Sequence, residues 1–99
     1  MTKEANRIEI QNVQSPNHSM SVDRVKYQDM RKALLKVLPK RAPGLTVAEA
    51  MTALLPHLSQ ELFPGGTKAG WWLKAVQLDL EAKGVVAREP TKPLRLHRS

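Results

Sequence analysis

Residues 64–84 read Pro64-Gly65-Gly66-Thr67-Lys68-Ala69-Gly70-Trp71-Trp72-Leu73-Lys74-Ala75-Val76-Gln77-Leu78-Asp79-Leu80-Glu81-Ala82-Lys83-Gly84. The three breakers Pro64, Gly65 and Gly66 release a helix expected over 67–83. Gly84 stops it, because a left-handed C-terminal residue costs glycine little. On a helical projection Ala69, Trp72, Leu73, Val76 and Leu80 form one apolar stripe, and Lys74, Gln77 and Glu81 define the wettest side. Trp71, Ala75, Leu78 and Ala82 form a second apolar stripe, which a helix docked by one face does not need. Two alternating runs follow, 85–89 and 94–98, joined by Pro90-Thr91-Lys92-Pro93. They predict an antiparallel hairpin with its prolines outside the paired region.

Upstream, 7–13 alternates with Ile8 and Ile10 on one face, which predicts a short strand. Ser15-Pro16-Asn17-His18-Ser19 ends it with turn chemistry. The next segment reads as helical, so this strand is expected to pair with a distant strand, with a second copy of the chain, or with nothing. The first helix starts near Asp23, an N-cap preceded by Val22, which can staple onto Tyr27. Tyr27, Met30, Ala33, Leu34, Val37 and Leu38 share one face, with Arg24, Gln28, Arg31, Lys32 and Lys36 opposite. Pro39 stops this helix and Pro43-Gly44 turns the chain. Thr46-Val47-Ala48-Glu49 is a capping box that opens a second helix with an apolar stripe of Ala50, Met51, Leu54, Leu55 and Leu58. Pro56 is expected to break it, leaving a short second piece over 57–63 with Leu58, Leu62 and Phe63 buried. The fold class is therefore α+β, with three helices, a C-terminal two-stranded hairpin and an added N-terminal strand. Residues 1–20 read as an N-terminal arm and 21–99 as the domain proper.

Composition narrows the chemistry. Ninety-nine residues with 41% hydrophobic content support one core. The chain has no cysteine, which excludes thiol catalysis, thiolate metal sites and disulfides. It shows no apolar run of signal-peptide or membrane-spanning length, so no membrane association and a cytoplasmic location are expected. Asn17-His18-Ser19 then matches the glycosylation pattern only by accident. The net charge of +7 and the pI near 10.2 favour a polyanionic partner, nucleic acid first and an acidic protein or membrane surface second. The charge is uneven: seven Lys/Arg lie between Arg24 and Arg41 against Asp29 alone, and none lies between Leu45 and Thr67.

No enzyme constellation is present, and no cofactor is implied. His18, His57 and His97 fall in three separate segments without metal-ligand spacing. Gly65-Gly66-Thr67-Lys68 lacks the spacing of a phosphate loop. It offers either a purely structural turn or a helix N-terminus with an adjacent lysine, able to clamp one backbone phosphate.

The order of three helices and a two-stranded wing resembles the winged helix-turn-helix superfamily over 21–99. Leu80-Glu81-Ala82-Lys83-Gly84-Val85-Val86 followed by Arg88 resembles the recognition-helix end and wing entry of many bacterial transcription regulators. Leu62 to Trp72, Val76 to Gly84 and Pro93-Leu94-Arg95 resemble a family of small bacterial proteins of unknown function. The resemblance implies a winged-helix fold and supplies no catalytic or binding residues. In such a fold the third helix usually enters the major groove and the wing lies on the adjacent backbone. The DNA-binding candidates are then Thr67, Lys68, Lys74 and Gln77 on the helix, and Arg88, Lys92, Arg95 and Arg98 on the wing. Trp71 and Leu78 suit base reading poorly. They pack under the N-terminal strand through Ile8 and Ile10, or form a dimer or protein-partner contact, or touch DNA directly. The expected function is DNA binding, as in a transcriptional regulator. The alternative is an interaction or dimerisation module without nucleic acid.

Overall fold

The computed structural model describes residues 6–99. Its elements are strands β1 (Arg7–Gln11) and β2 (Ser19–Asp23), helix α1 (Arg24–Val37), the two-residue strand β3 (Leu45–Thr46), helices α2 (Val47–Leu54) and α3 (Ala69–Ala82), and strands β4 (Val86–Glu89) and β5 (Arg95–Arg98). The fold is α+β, three helices with two small antiparallel sheets, β1-β2 and β3-β5-β4.

The helices begin where side chains satisfy orphan backbone donors. Asp23 accepts from the Lys26 N–H at 3.0 Å at the start of α1. Thr46 accepts from the Glu49 N–H at 3.1 Å, while Glu49 accepts from the Thr46 N–H at 2.9 Å. That backbone donor holds the Glu49 carboxyl below its ordinary pKa. Pro56 ends α2 in a 3-10 turn over Leu55–His57. The expected helical piece over 57–63 is absent. Asp29 on α1 caps the Ser59 N–H at 2.9 Å, and a single turn closes from the Phe63 N–H to the Ser59 carbonyl. This irregular connection still buries Leu58 and Phe63, and the Phe63 ring stands edge-on to Trp72.

The N-terminal strand corrects the sequence reading. β1 has a sequence-local partner, β2, with Ile8 opposite Val22 and Ile10 opposite Met20. The five residues of β2 point only Val22 into the core, too few to show a period. The hairpin lies on α1 and α3, and Ile10 and Val22 join the same buried cluster as Met30, Leu34, Leu54, Phe63, Leu73, Val76 and Leu96. β2 thus runs across the junction between residues 20 and 21.

β3 is also invisible in the sequence, being two residues between a turn and a helix cap. It pairs Leu45 with Leu96 and Thr46 with Arg95. Gly44 makes this approach feasible. Its φ is +83°, and a Cβ there would stand 2.0 Å from the Leu96 carbonyl oxygen. The C-terminal hairpin forms as expected, with Val86 opposite Arg98, Glu89 opposite Arg95, and the tip prolines outside the ladder.

Candidate nucleic-acid interface

α3 is buried over most of its circumference. Ala69, Trp72, Leu73, Val76 and Leu80 face the core as their spacing predicts. The side expected to be wettest is not. Lys74 is exposed, but Gln77 is only 5% exposed and donates to Glu81 at 2.9 Å. Glu81 is covered because Arg88 reaches back from β4 and forks onto both of its oxygens, with one contact at 2.9 Å. That pair holds the Arg88 pKa above its ordinary value. Gln77 is therefore not available to read a base edge.

The second apolar stripe divides. Leu78 is 6% exposed, and the chain beyond β1 covers it, the Val13 N–H meeting the Leu78 carbonyl at 3.3 Å. Leu78 is thus largely covered within the chain, and it lines two surface hollows, one with Ile10 and Asn12 and one with Gln14. Trp71 remains 50% exposed, braced edge-to-face on Trp72 with ring centroids 5.2 Å apart.

Asp79 is the buried group that periodicity does not reveal. It is fully enclosed and accepts from the Gln11 N–H at 2.8 Å, from Lys83 Nζ at 2.9 Å and from the Tyr27 hydroxyl. It ties β1, α1 and α3 together. Burial, and then the Asp79 carboxylate, push the Tyr27 pKa well above its ordinary value.

The C-terminal cations are largely committed. Arg95 donates to the Gly44 carbonyl at 3.0 Å and lies 3.5 Å from Glu49. Arg98 donates to the Leu38 carbonyl at 3.0 Å. His97 bridges the Arg98 carbonyl and Glu89, and these contacts, the carbonyl foremost, raise its pKa. Lys68, Lys74 and Lys92 are exposed and make no ion pair among the described residues. Thr67 turns its hydroxyl onto the Pro64 carbonyl at 2.6 Å.

The glycine turn before α3 is mostly self-satisfied. The N–H of Gly65 donates to the Gln60 side chain, that of Gly66 to Phe63 and that of Thr67 to Pro64. Lys68 sits in the left-handed region at φ 63° and begins α3. A groove of about 410 Å³ separates α3 from α2 and the C-terminal hairpin. Val47, Met51, Leu73 and Leu94 give it apolar walls, and Lys74 and Arg88 also line it.

Among the described residues no group of three or more His, Asp or Glu could hold a metal ion, and no helix is long and apolar enough to cross a membrane. Residues 7–96 match a family of unknown function (DUF6958), and the chain belongs to that family. No curated protein and no solved structure matches it.

Proposed function

We propose that this chain is a winged helix-turn-helix module that binds nucleic acid through the backbone phosphates, with weak sequence selectivity. The topology supports the fold assignment. A helix, a short strand, two helices and a hairpin, with the short strand beside the last strand of the hairpin, is the arrangement of that superfamily.

One observation carries the function. Every carboxylate on α3 and the C-terminal hairpin is bonded within the molecule: Asp79, Glu81 and Glu89. Lys68, Lys74 and Lys92 are exposed and make no ion pair among the described residues, so α3 and the hairpin tip carry uncompensated positive charge. Phosphates are the partner such charge fits. Weak selectivity follows from the same geometry, because Gln77 is buried and Lys74 is left as the outward-facing base-reading side chain on the middle of α3.

Fluorescence anisotropy with a labelled mixed-sequence duplex tests this. Binding should appear at low salt, weaken steeply as salt rises, and vary little with sequence. Changing Lys68, Lys74 and Lys92 together to Ala should lower the salt slope by about 0.9 for each phosphate that the variant no longer neutralises. Absence of binding to any duplex or single strand at low salt overturns the proposal.

The half-exposed Trp71 favours a second reading, a protein-interaction module without nucleic acid. It predicts self-association or partner capture that Trp71→Ala abolishes and that salt leaves intact.

A further inference from the structure

We infer that Trp71 is a stacking platform for an unpaired nucleobase, so that the preferred ligand is single-stranded rather than duplex nucleic acid. The inference rests on the nucleic-acid reading above and names its substrate class.

Trp71 is the largest exposed apolar surface on α3. Side chains of this size are normally placed where part of the ring is covered. Here the neighbouring Trp72 is buried and meets Trp71 edge-on at 80°, which fixes the ring and leaves Trp71 half-exposed. Lys74 follows Trp71 by three residues and so lies near the same side of the helix, while Lys68 stands three residues before Trp71 in the left-handed turn that begins α3. Both are exposed and unpaired among the described residues. An exposed aromatic ring with an unpaired lysine before and after it along the chain fits a base flanked by phosphates, which is how single strands are held without sequence preference. A base within a duplex offers no such face.

Gly70 adds a second observation. It is exposed within the first turn of α3, and a Cβ built there meets nothing within 4 Å. Glycine is less favourable than alanine in a helix, and no packing contact explains it. A bare backbone beside Trp71 leaves room for a strand to approach closely.

Four ligands of one length decide the matter: an oligothymidylate, its abasic counterpart with the same phosphates, a duplex, and inorganic polyphosphate. Binding is followed by anisotropy and by intrinsic tryptophan fluorescence, which reports Trp71 above the background of buried Trp72. The oligothymidylate should quench the fluorescence and bind more tightly than the other three. Trp71→Ala should weaken it about 5- to 100-fold while leaving duplex binding unchanged. Trp71→Phe should retain part of the affinity, and Gly70→Ala should weaken the single strand while the fold melts no lower. Equal binding of the abasic strand, or equal affinity of Trp71→Ala for the oligothymidylate, overturns the platform and leaves the phosphate-binding proposal standing. Binding to none of the four removes both. Concentration-dependent fluorescence of the protein alone, matched by a dimer in sedimentation, assigns Trp71 to a second copy of the chain and also overturns the platform.

Discussion

Among single residues, Asp79 and Tyr27 dominate. Asp79 is wholly buried and serves three donors on three segments. Asp79→Ala should cost about 2–4 kcal/mol in denaturant unfolding, since it strands a buried hydroxyl and a backbone N–H. Lys83→Ala should cost less, because Lys83 is 39% exposed and Asp79 keeps its two other donors. A loss at Asp79 no larger than at Lys83 would remove Asp79 from its central place. Tyr27 carries a pH signature. Its folded pKa lies above the unfolded value of about 10. The unfolded chain therefore releases this proton first as pH rises, and the stability it contributes, complete below pH ~10, is lost above it. The stability difference between wild type and Tyr27→Phe should shrink as pH climbs past ~10. His97 behaves in the same sense at lower pH. Its raised pKa gives stability present below about 6.5 and lost as pH rises through the folded value. An NMR titration of the imidazole should place its midpoint above that of a free histidine; a midpoint at or below it contradicts the contacts to Arg98 and Glu89.

Among the elements, the α2 cap and the β3–β5 pairing are the features most exposed to single changes. Thr46→Ala removes half of a capping box and should cost about 1 kcal/mol. Gly44→Ala should cost more, at least about 2 kcal/mol, because the left-handed backbone is strained and the new methyl meets the Leu96 carbonyl. Thermal melts of both variants settle the order; a Gly44→Ala protein as stable as wild type would mean that β3 does not approach β5 this closely. The helices and the C-terminal hairpin were legible because their signals are local: a cap, a stripe, a glycine or proline stop. The strands β2 and β3 were not. One contributes a single inward side chain and the other is two residues long, so neither builds a period.

Across the molecule, two stretches carry much of the exposed positive charge. Lys68, Lys74 and Lys92 belong to the face of α3 and the hairpin tip, while Lys32, Lys36, Lys40 and Arg41 follow α1 into the loop beyond it. The register of β5 separates tip and loop, since Arg95 leads to the tip whereas Arg98 meets Leu38 and Pro39 at the other end. Changing the four α1-side cations to Gln should lower affinity for a polyanion modestly at low salt, through the long-range field, and leave the salt slope nearly unchanged. If instead the slope falls by about 0.9 for each residue changed, phosphates contact α1 and the interface lies there.

The helices, their caps and stops, the C-terminal hairpin and the overall positive charge are written in the chain itself, because each depends on residues within a few positions of one another. Trp71 also stands out there, as an outlier on α3. Which cations remain uncommitted emerges only on folding. Arg95 meets Gly44, Arg98 meets Leu38 and Gln11 meets Asp79, across separations of 51, 60 and 68 residues. The same long-range packing buries Leu78 and Gln77 and leaves Trp71 out. Neutralisation and burial are properties of neighbours in space, and the N-terminal hairpin that supplies several of those neighbours has little pattern of its own in the chain.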